Sequence, residues 1–366
     1  MKQDKISNIE MQYIIFSFSI GAYMLFSMGG ELKEDAWVAT LIALIVAIPI
    51  MSMYGAIINF YPGKNIFQII ESVFGKIFGK ILNIAVTMYS FLLATFILRD
   101  FVDFIKITSL PNTPTIVIMF CIGMLNIYLL STNMQVIVSW IKFSIRFIVL
   151  FFIMISLILI PEMHVQNLFP IFNTEIKNIL IQSYKLLTFP FTELFIFLTF
   201  FDYVKFNKNT KNVFIKALLI GGVIAVSSVV INILLIGKQA YSSFYYAGYE
   251  AIKRIKIQGE FQRLEIIVTI AFTILQFSEM TFCVLGAWKG VENIFSTNNK
   301  RYILSIITIS MILLSRRLSK SMIESIKFNM NIWPIYGGII QIAFPIFIFI
   351  IIFIKNKILL KNKSDS

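Results

Sequence analysis

The chain is poor in charged residues. Only 14% of its 366 residues are Asp, Glu, Lys or Arg, where a soluble domain has about 25%. Apolar residues make up 58% and form long runs over almost the whole length, so no stretch remains for a soluble domain of ordinary size. This scarcity of charge excludes a soluble globular protein and predicts an integral membrane protein.

Residues that build metal sites, disulfides and catalytic centres are also scarce. The chain has one histidine, His164, and two cysteines, Cys121 and Cys283, both inside apolar runs. We interpret both cysteines as buried small apolar residues, and we expect no disulfide framework, no metal site and no cofactor. The sequence also contains no nucleophile–base pair and no phosphate-binding loop, which argues against a membrane enzyme.

Positive charge exceeds negative charge, giving a net charge of +13, and it collects in short connectors and at the C-terminus. Basic connectors beside apolar spans indicate contact with lipid head groups rather than with nucleic acid. Lys and Arg are somewhat more numerous in the connectors that a cytoplasmic N-terminus places inside, so both termini are predicted to be cytoplasmic. The first residues lead directly into an apolar run without a small-residue cleavage site, so no cleavable signal peptide is expected.

The apolar runs predict about ten membrane-spanning helices in one domain that covers residues 1–366. The spans are placed near 9–30, 36–60, 81–105, 114–130, 134–159, 184–203, 212–237, 264–288, 302–316 and 333–354. They divide into two halves of five, about 9–159 and about 184–354. Because five is odd, the two halves must enter the membrane from opposite sides. Inverted repeats of this kind carry substrate sites on interrupted helices at matching positions.

The strongest local signal is a proline in the middle of the sixth span. Pro190 removes a backbone donor and crowds the carbonyl of Leu186, and Glu193 places a carboxylate in hydrocarbon. We therefore predict a broken helix around a small-molecule site. The first span has Gly21 near its middle. This glycine either marks a second break or makes a close contact between helices, and its place opposite Pro190 favours the break.

Several short segments, spread in order over most of the chain, carry a family resemblance. They are Ile6–Ser7, Ile20–Gly21, Glu34–Trp37, Phe74–Lys76, Phe78–Lys80, Leu110–Pro114, Phe189–Glu193 and Glu260–Glu265. Together with the length and the number of spans, they resemble the B subunit of spore germinant receptors. These are the GerAB-like permeases related to the amino acid–polyamine–organocation transporters.

The resemblance implies an all-α, LeuT-type fold: an inverted 5+5 repeat with helices 1 and 6 unwound around a ligand, such as an amino acid or a similar zwitterion. It implies ligand contacts from Gly21, Ala22, Tyr23, Tyr89, Phe189, Pro190, Phe191, Thr192 and Glu193. The family further implies a membrane A subunit and a lipid-anchored C subunit in the spore inner membrane. The function expected is nutrient binding that signals to these partners to start germination. An ion-coupled amino acid permease is the alternative.

Charged residues inside the spans are candidates for charge or proton coupling. Glu193 and Glu279 lie near the middles of spans 6 and 8, and Lys142 and Arg146 share a face of span 5. Related proton-coupled transporters use a basic side chain on helix 5, which Lys142 or Arg146 resembles. The alternative is structural, with Lys142 reaching the membrane surface and Glu193 pairing with a neighbour. Arg99 and Asp103, four residues apart, are interpreted as a structural pair.

Overall fold

The computed structural model describes residues 5–207, 209–254, 264–297, 299–318 and 322–364. Regular structure in these ranges is helical, apart from a parallel bridge between Ile6 and Val204. The helices are α1 (Asn8–Leu25), α2 (Ala36–Phe60), α3 (Ile66–Phe74), α4 (Lys76–Thr108), α5 (Thr115–Leu130), α6 (Met134–Ile158), α7 (Ile176–Leu186), α8 (Val213–Ile236), α9 (Lys238–Ser243), α10 (Ala247–Arg254), α11 (Leu264–Phe295), α12 (Lys300–Leu318), α13 (Met322–Asn331), α14 (Trp333–Gly337) and α15 (Phe344–Ser364).

Seven helical segments in the described residues are long and apolar enough to cross a membrane, and the chain is an integral membrane protein. They are Gly30–Phe60, Lys76–Thr108, Met134–Ile158, Ile176–Tyr203, Thr210–Ile236, Glu265–Phe295 and Trp333–Lys355. Helices α1, α5 and α12 lie at the other three predicted positions. Taken singly, none of the three meets the criterion of length and apolarity for a membrane span. The count of ten spans therefore stays a prediction. Most of the predicted Glu260–Glu265 segment lies outside the described residues.

The sixth span is irregular along most of its length. It begins with α7 at Ile176, earlier than the predicted start near 184, because Lys177 and Asn178 made the first turn resemble a connector. It continues as a π-turn, Leu187–Phe191, and then as a 3-10 helix, Thr192–Tyr203. Within the π-turn Phe189 is extended, with φ −140° and ψ 115°. The interruption lies directly before the proline that predicted it.

The first span is not unwound at Gly21, so that prediction was wrong. Helix α1 runs without a break through Gly21, Ala22 and Tyr23 and ends at Leu25. A Cβ atom added at Gly21 would lie 2.5 Å from Oε1 of Glu279 on α11. The same Cβ atom would lie 3.1 Å from Cβ of Leu275, so the glycine favours close packing of α1 on α11 and does not mark an unusual backbone. The chain turns away from the helix only after Leu25.

The sixth span runs antiparallel beside α1. Their aromatic rings meet in reverse order along the two segments, with centroids 5.2, 5.3 and 5.9 Å apart in the pairs Phe18–Phe197, Tyr23–Phe191 and Phe26–Phe189. At the far end, the Ile6 amide donates to the Tyr203 carbonyl and the Lys205 amide donates to the Ile6 carbonyl, both at 2.8 Å. The two segments are thus joined from the start of α1 to the break in the sixth span.

Helices α4 and α11 form the longest contact in the bundle, and small residues allow it. Gly286 and Gly290, four residues apart on α11, face Ser90 and Thr87 of α4. A Cβ atom added at Gly290 would lie 2.0 Å from Thr87 Oγ1. Because helices in lipid gain little from burying apolar surface, close approach of their backbones is what stabilises such a pair.

The acidic residues that precede α2 attach outer connectors to the bundle. Asp35 is fully buried, and its carboxylate accepts hydrogen bonds from the amides of Phe172 and Thr174 at 2.7 and 2.8 Å. Glu34 forms an ion pair with Lys238 of α9 at 3.1 Å. The two acidic residues that begin the Glu34–Trp37 segment therefore have a structural role at one end of the bundle.

The two cysteines differ in burial, and the predicted Arg99–Asp103 pair is present. Cys283 is buried as predicted, but Cys121 is exposed, because α5 lies at the edge of the bundle and turns this face outward. The predicted pair between Arg99 and Asp103 is confirmed, with Nε and Oδ2 2.8 Å apart.

We predict that Gly290→Val lowers the thermal unfolding temperature of the purified protein. The added side chain must push α4 and α11 apart, and overpacking of this kind costs about 1–3 kcal/mol. Phe295→Leu, at the exposed end of the same helix, serves as the control and should change little. Equal unfolding temperatures for Gly290→Val and the unmodified protein would contradict the packing described for this helix pair.

Candidate functional site

Several backbone carbonyl groups beside the break in the sixth span lie within hydrogen-bond distance of side-chain hydroxyl groups. The Thr188 hydroxyl donates to the Lys185 carbonyl at 2.8 Å, and the Thr192 hydroxyl lies 2.9 Å from the Leu187 carbonyl. The Tyr54 hydroxyl, from α2, lies 3.3 Å from the Thr192 carbonyl. Polar backbone groups in a membrane must be satisfied in this way, because no water reaches them in hydrocarbon. The break is therefore a built feature of the fold.

Gln341, in the last span, connects the break to α4. Its amide nitrogen donates to the Tyr89 hydroxyl at 3.0 Å, and its Oε1 lies 2.6 Å from Thr192 Oγ1. The Tyr54 hydroxyl also contacts the Gln341 carbonyl. Sequence reasoning identified Tyr89 and Thr192 but missed Gln341 and Tyr54. A glutamine inside an otherwise apolar span was the available signal, since polar residues there usually have a partner.

Glu193 is directed toward the last span rather than into an open pocket. Its side chain is buried, and Oε1 accepts a hydrogen bond from Trp333 Nε1 at 2.9 Å. The Trp333 ring stacks on Tyr89, with centroids 5.8 Å apart and planes 20° apart. Sequence reasoning left open a pairing of Glu193 with a neighbour but did not identify Trp333, which lies far away in the chain.

A cavity of about 80 Å³ lies between the end of α1 and the break. Its walls are the turn after α1 at residues 26–29, the end of α7 with Phe189, and side chains of Tyr245 and Asn329. Gly29 has φ +66°, and this left-handed turn directs the chain across the end of the helix. The space is enough for several water molecules, and hence for a small organic molecule.

The cavity wall combines three kinds of chemistry. Gln182 is buried, and its Oε1 has no hydrogen-bond partner in the described part of the chain. Lys185 supplies a cation, with Nζ 3.4 Å from Glu31 Oε2. Phe26, Phe189 and Tyr245 supply aromatic surface. A hydrogen-bond acceptor, a cation and aromatic rings together can hold a ligand that carries both charges.

Among the residues predicted to form the pocket, only Phe189 lines this cavity. Gly21 lines a separate cavity of about 40 Å³ between α1, α6, α8 and α11. The space expected between Gly21–Tyr23 and Phe189–Thr192 is closed, because the Tyr23 and Phe191 rings pack against each other. The opening therefore lies further along the first span than predicted, at residues 26–29. The physical reason is that α1 stays helical and packed in the bundle until Leu25. Only the residues after Leu25 turn away from the helix and can border a cavity.

The two basic residues predicted to couple charge are not brought to the two acidic ones, whereas Glu193 and Glu279 lie close enough to each other to interact electrostatically. Glu279 is buried beside Gly21, and its Oε1 has no hydrogen-bond partner among the described residues. Lys142 lies 3.3 Å from Glu10 of α1 in an ion pair. Arg146 is exposed on the outer face of α6. Neither basic residue lines the cavity.

Comparison with known proteins gives a consistent result. The model of a family described as "Spore germination protein" matches residues 5–323. The chain is similar to "Spore germination protein KB" of Bacillus subtilis (strain 168), with 21% identity over 100% of this chain and 99% of that protein. It is also similar to "Putative spore germination protein YfkT" of the same organism, with 22% identity over 91% of this chain and 90% of that protein.

We predict that Trp333→Phe destabilises the protein more than Trp288→Phe does. The first substitution leaves a buried Glu193 oxygen without its donor, and a buried acceptor left unsatisfied costs about 1–3 kcal/mol. Trp288 is a matched control because it is also buried and its Nε1 has no partner among the described residues. Thermal unfolding in detergent measures both. An equal loss in the two variants would argue against the Glu193–Trp333 contact.

Proposed function

The chain belongs to the spore germination protein family, and on that premise we propose that it is the membrane subunit of a spore germinant receptor. In this role it binds a small nutrient in a transporter-like pocket and signals to partner subunits. It acts as a binding and signalling protein and not as an enzyme. The observation that carries the proposal is the cavity between the end of α1 and the broken sixth span.

The ligand is an amino acid or a similar zwitterion. Oε1 of Gln182 can accept a hydrogen bond from an ammonium group, and Phe26, Phe189 and Tyr245 can face that cation. Lys185 can pair with a carboxylate by exchanging its contact with Glu31. The break and its hydrogen-bond network support the site through Pro190, Phe191, Thr192 and Tyr89.

The order of the two repeats is of the LeuT type, with repeat 1 at about 9–159 and repeat 2 at about 184–354, and the chain departs from that type in its first span, which is not unwound. Four contacts between the halves support this assignment, since each pairs a helix with its counterpart five spans later. The pairs are α1 with the sixth span, α2 with α8, α4 with α11, and α5 with α12. The short helices α3 and α10 also follow the second and seventh spans at equivalent places in the two halves.

Glu193 and Glu279 are the candidates for charge or proton coupling. A buried carboxyl group in hydrocarbon is stable only when it is protonated or paired, so ligand-dependent movement of α1 or α11 would change the state that Glu279 favours. Lys142 holds Glu10 at the start of α1 and can report movement of that helix. Arg146 faces away from the cavity, and its role lies elsewhere.

The partners are a membrane A subunit and a lipoprotein C subunit, in the spore inner membrane. With both termini cytoplasmic, residues 26–29 and the cavity lie toward the outer side, where a nutrient arrives. This arrangement allows the ligand to act on the break in the sixth span while the opposite end of that span stays attached to the N-terminal segment.

Binding and uptake of labelled amino acids by the purified protein in liposomes test the function directly. The double variant Pro190→Ala/Glu193→Gln is the control for the site. Saturable binding without accumulation would support a receptor subunit. Accumulation driven by a proton or sodium gradient would instead identify an ion-coupled amino acid permease, and the receptor assignment would fail.

We predict that Gln182→Leu lowers ligand affinity without lowering stability. Its Oε1 has no partner among the described residues, so removing it breaks no hydrogen bond at that atom, and a lost contact to a charged ligand group weakens binding about tenfold or more. Gln276→Leu is the matched control, because Gln276 is also buried with an unpartnered Oε1 but does not line the cavity. Equal affinity in the two variants would remove Gln182 from the ligand site.

A further inference from the structure

Arg146 lies at the centre of a membrane span and is exposed on its outer surface. It is equidistant from Met134 and Ile158, the ends of α6, at about 18 Å from each for a rise of about 1.5 Å per residue. Its neighbours Ile145 and Ile148 pack with Ile20 of α1, which lies deep in the bundle. An arginine side chain cannot extend 18 Å to the membrane surface, so Arg146 stays within the hydrocarbon layer.

No carboxylate among the described residues pairs with this arginine within 4.0 Å. Glu10, which contacts α6 one helical turn away at Lys142, is already paired with that lysine. Glu193 and Glu279 are buried inside the bundle and do not reach its outer face. A charge at mid-membrane without a partner is one of the costliest placements for a side chain.

An apolar groove between α6 and α11 includes Phe147, the residue next to Arg146, although Arg146 itself does not line it. The groove encloses about 400 Å³, and Phe147 and Leu150 of α6 line it together with Ile270 and Ile274 of α11. Phe147 and Ile270 are 59% and 55% exposed. Apolar surface of this kind faces lipid in any membrane protein, so the groove alone has no special meaning. The arginine beside it distinguishes this face.

We infer that the face formed by Arg146 and this groove docks a membrane-spanning helix of another protein, which carries an Asp or Glu side chain at mid-depth. The helix fills the groove and its carboxylate pairs with the guanidinium group, ideally through two parallel hydrogen bonds. A second copy of this chain fits poorly, since the carboxyl groups of its own spans at Asp100, Glu193 and Glu279 are buried. The identity of the partner as the membrane A subunit rests on the proposed function.

The isolated chain gives a test that needs no partner. In nanodiscs of zwitterionic lipid, Arg146→Leu should raise the unfolding temperature, because it removes an uncompensated charge from the membrane. Arg99→Leu is the matched control and should lower the unfolding temperature, since Arg99 is paired with Asp103 inside the chain. An unchanged or lower unfolding temperature for Arg146→Leu would overturn the inference.

In the complex with the A subunit, we expect Arg146→Leu to be unfavourable rather than favourable. When the chain is co-expressed with the A subunit, Arg146→Leu should reduce the A subunit recovered with it by about tenfold, because the partner carboxylate is left buried and unpaired. Arg146→Lys should keep most of the association. Unchanged recovery with Arg146→Leu would contradict the docking site.

Two further outcomes separate this inference from the proposed function and from lipid binding. If the unmodified chain does not associate with the A subunit, the proposed partner is wrong, while the nanodisc measurement still decides whether Arg146 needs an external carboxylate. If anionic lipid in the nanodisc stabilises the unmodified chain but not Arg146→Leu, the group bound is a lipid phosphate. The protein-docking inference would then be wrong.

Discussion

The interruption of the sixth span at Phe189 and Pro190 is the constraint on which the rest of the structure depends. A broken helix in hydrocarbon is stable only if the protein supplies partners for the released backbone groups. Thr188 and Thr192 supply them locally, and Tyr54 reaches in from α2. Gln341 links the same region to Tyr89, and Trp333 holds Glu193. The break thereby positions α2, α4 and the last span around one point of the bundle.

The two ends of the sixth span are constrained differently. At one end, Ile6 bridges to Val204, and Asp202 forms a buried ion pair with Lys289 of α11 at 3.0 Å. At the other end, the span borders a cavity next to the turn after α1. A ligand in that cavity would act on the more open end, and the ion pair would transmit a change in the span to α11.

Local signals predicted much of the fold, whereas long-range contacts could not be predicted. The lengths of the apolar runs indicated the spans, and Pro190 indicated the break, because both follow from the chemistry of adjacent residues. Gly21 was misinterpreted, since a glycine serves equally for an unwound backbone and for close packing, and only the position of Glu279 distinguishes the two. The partners Trp333 and Gln341 lie more than a hundred residues from the break. The outward direction of Arg146 depends on how α6 is rotated in the bundle, which its own sequence does not determine.

The central claim is that a small nutrient binds between residues 26–29 and Phe189. The most direct measurement is photo-crosslinking of the purified protein in liposomes with a photoreactive analogue of an amino acid that binds it, followed by mass spectrometry of the labelled peptides. Labelling of the segment at residues 26–29 and of the segment around Phe189, displaced by excess unlabelled amino acid, is the predicted result. Displaceable labelling confined to other segments would contradict the claim and place the ligand site elsewhere in the bundle.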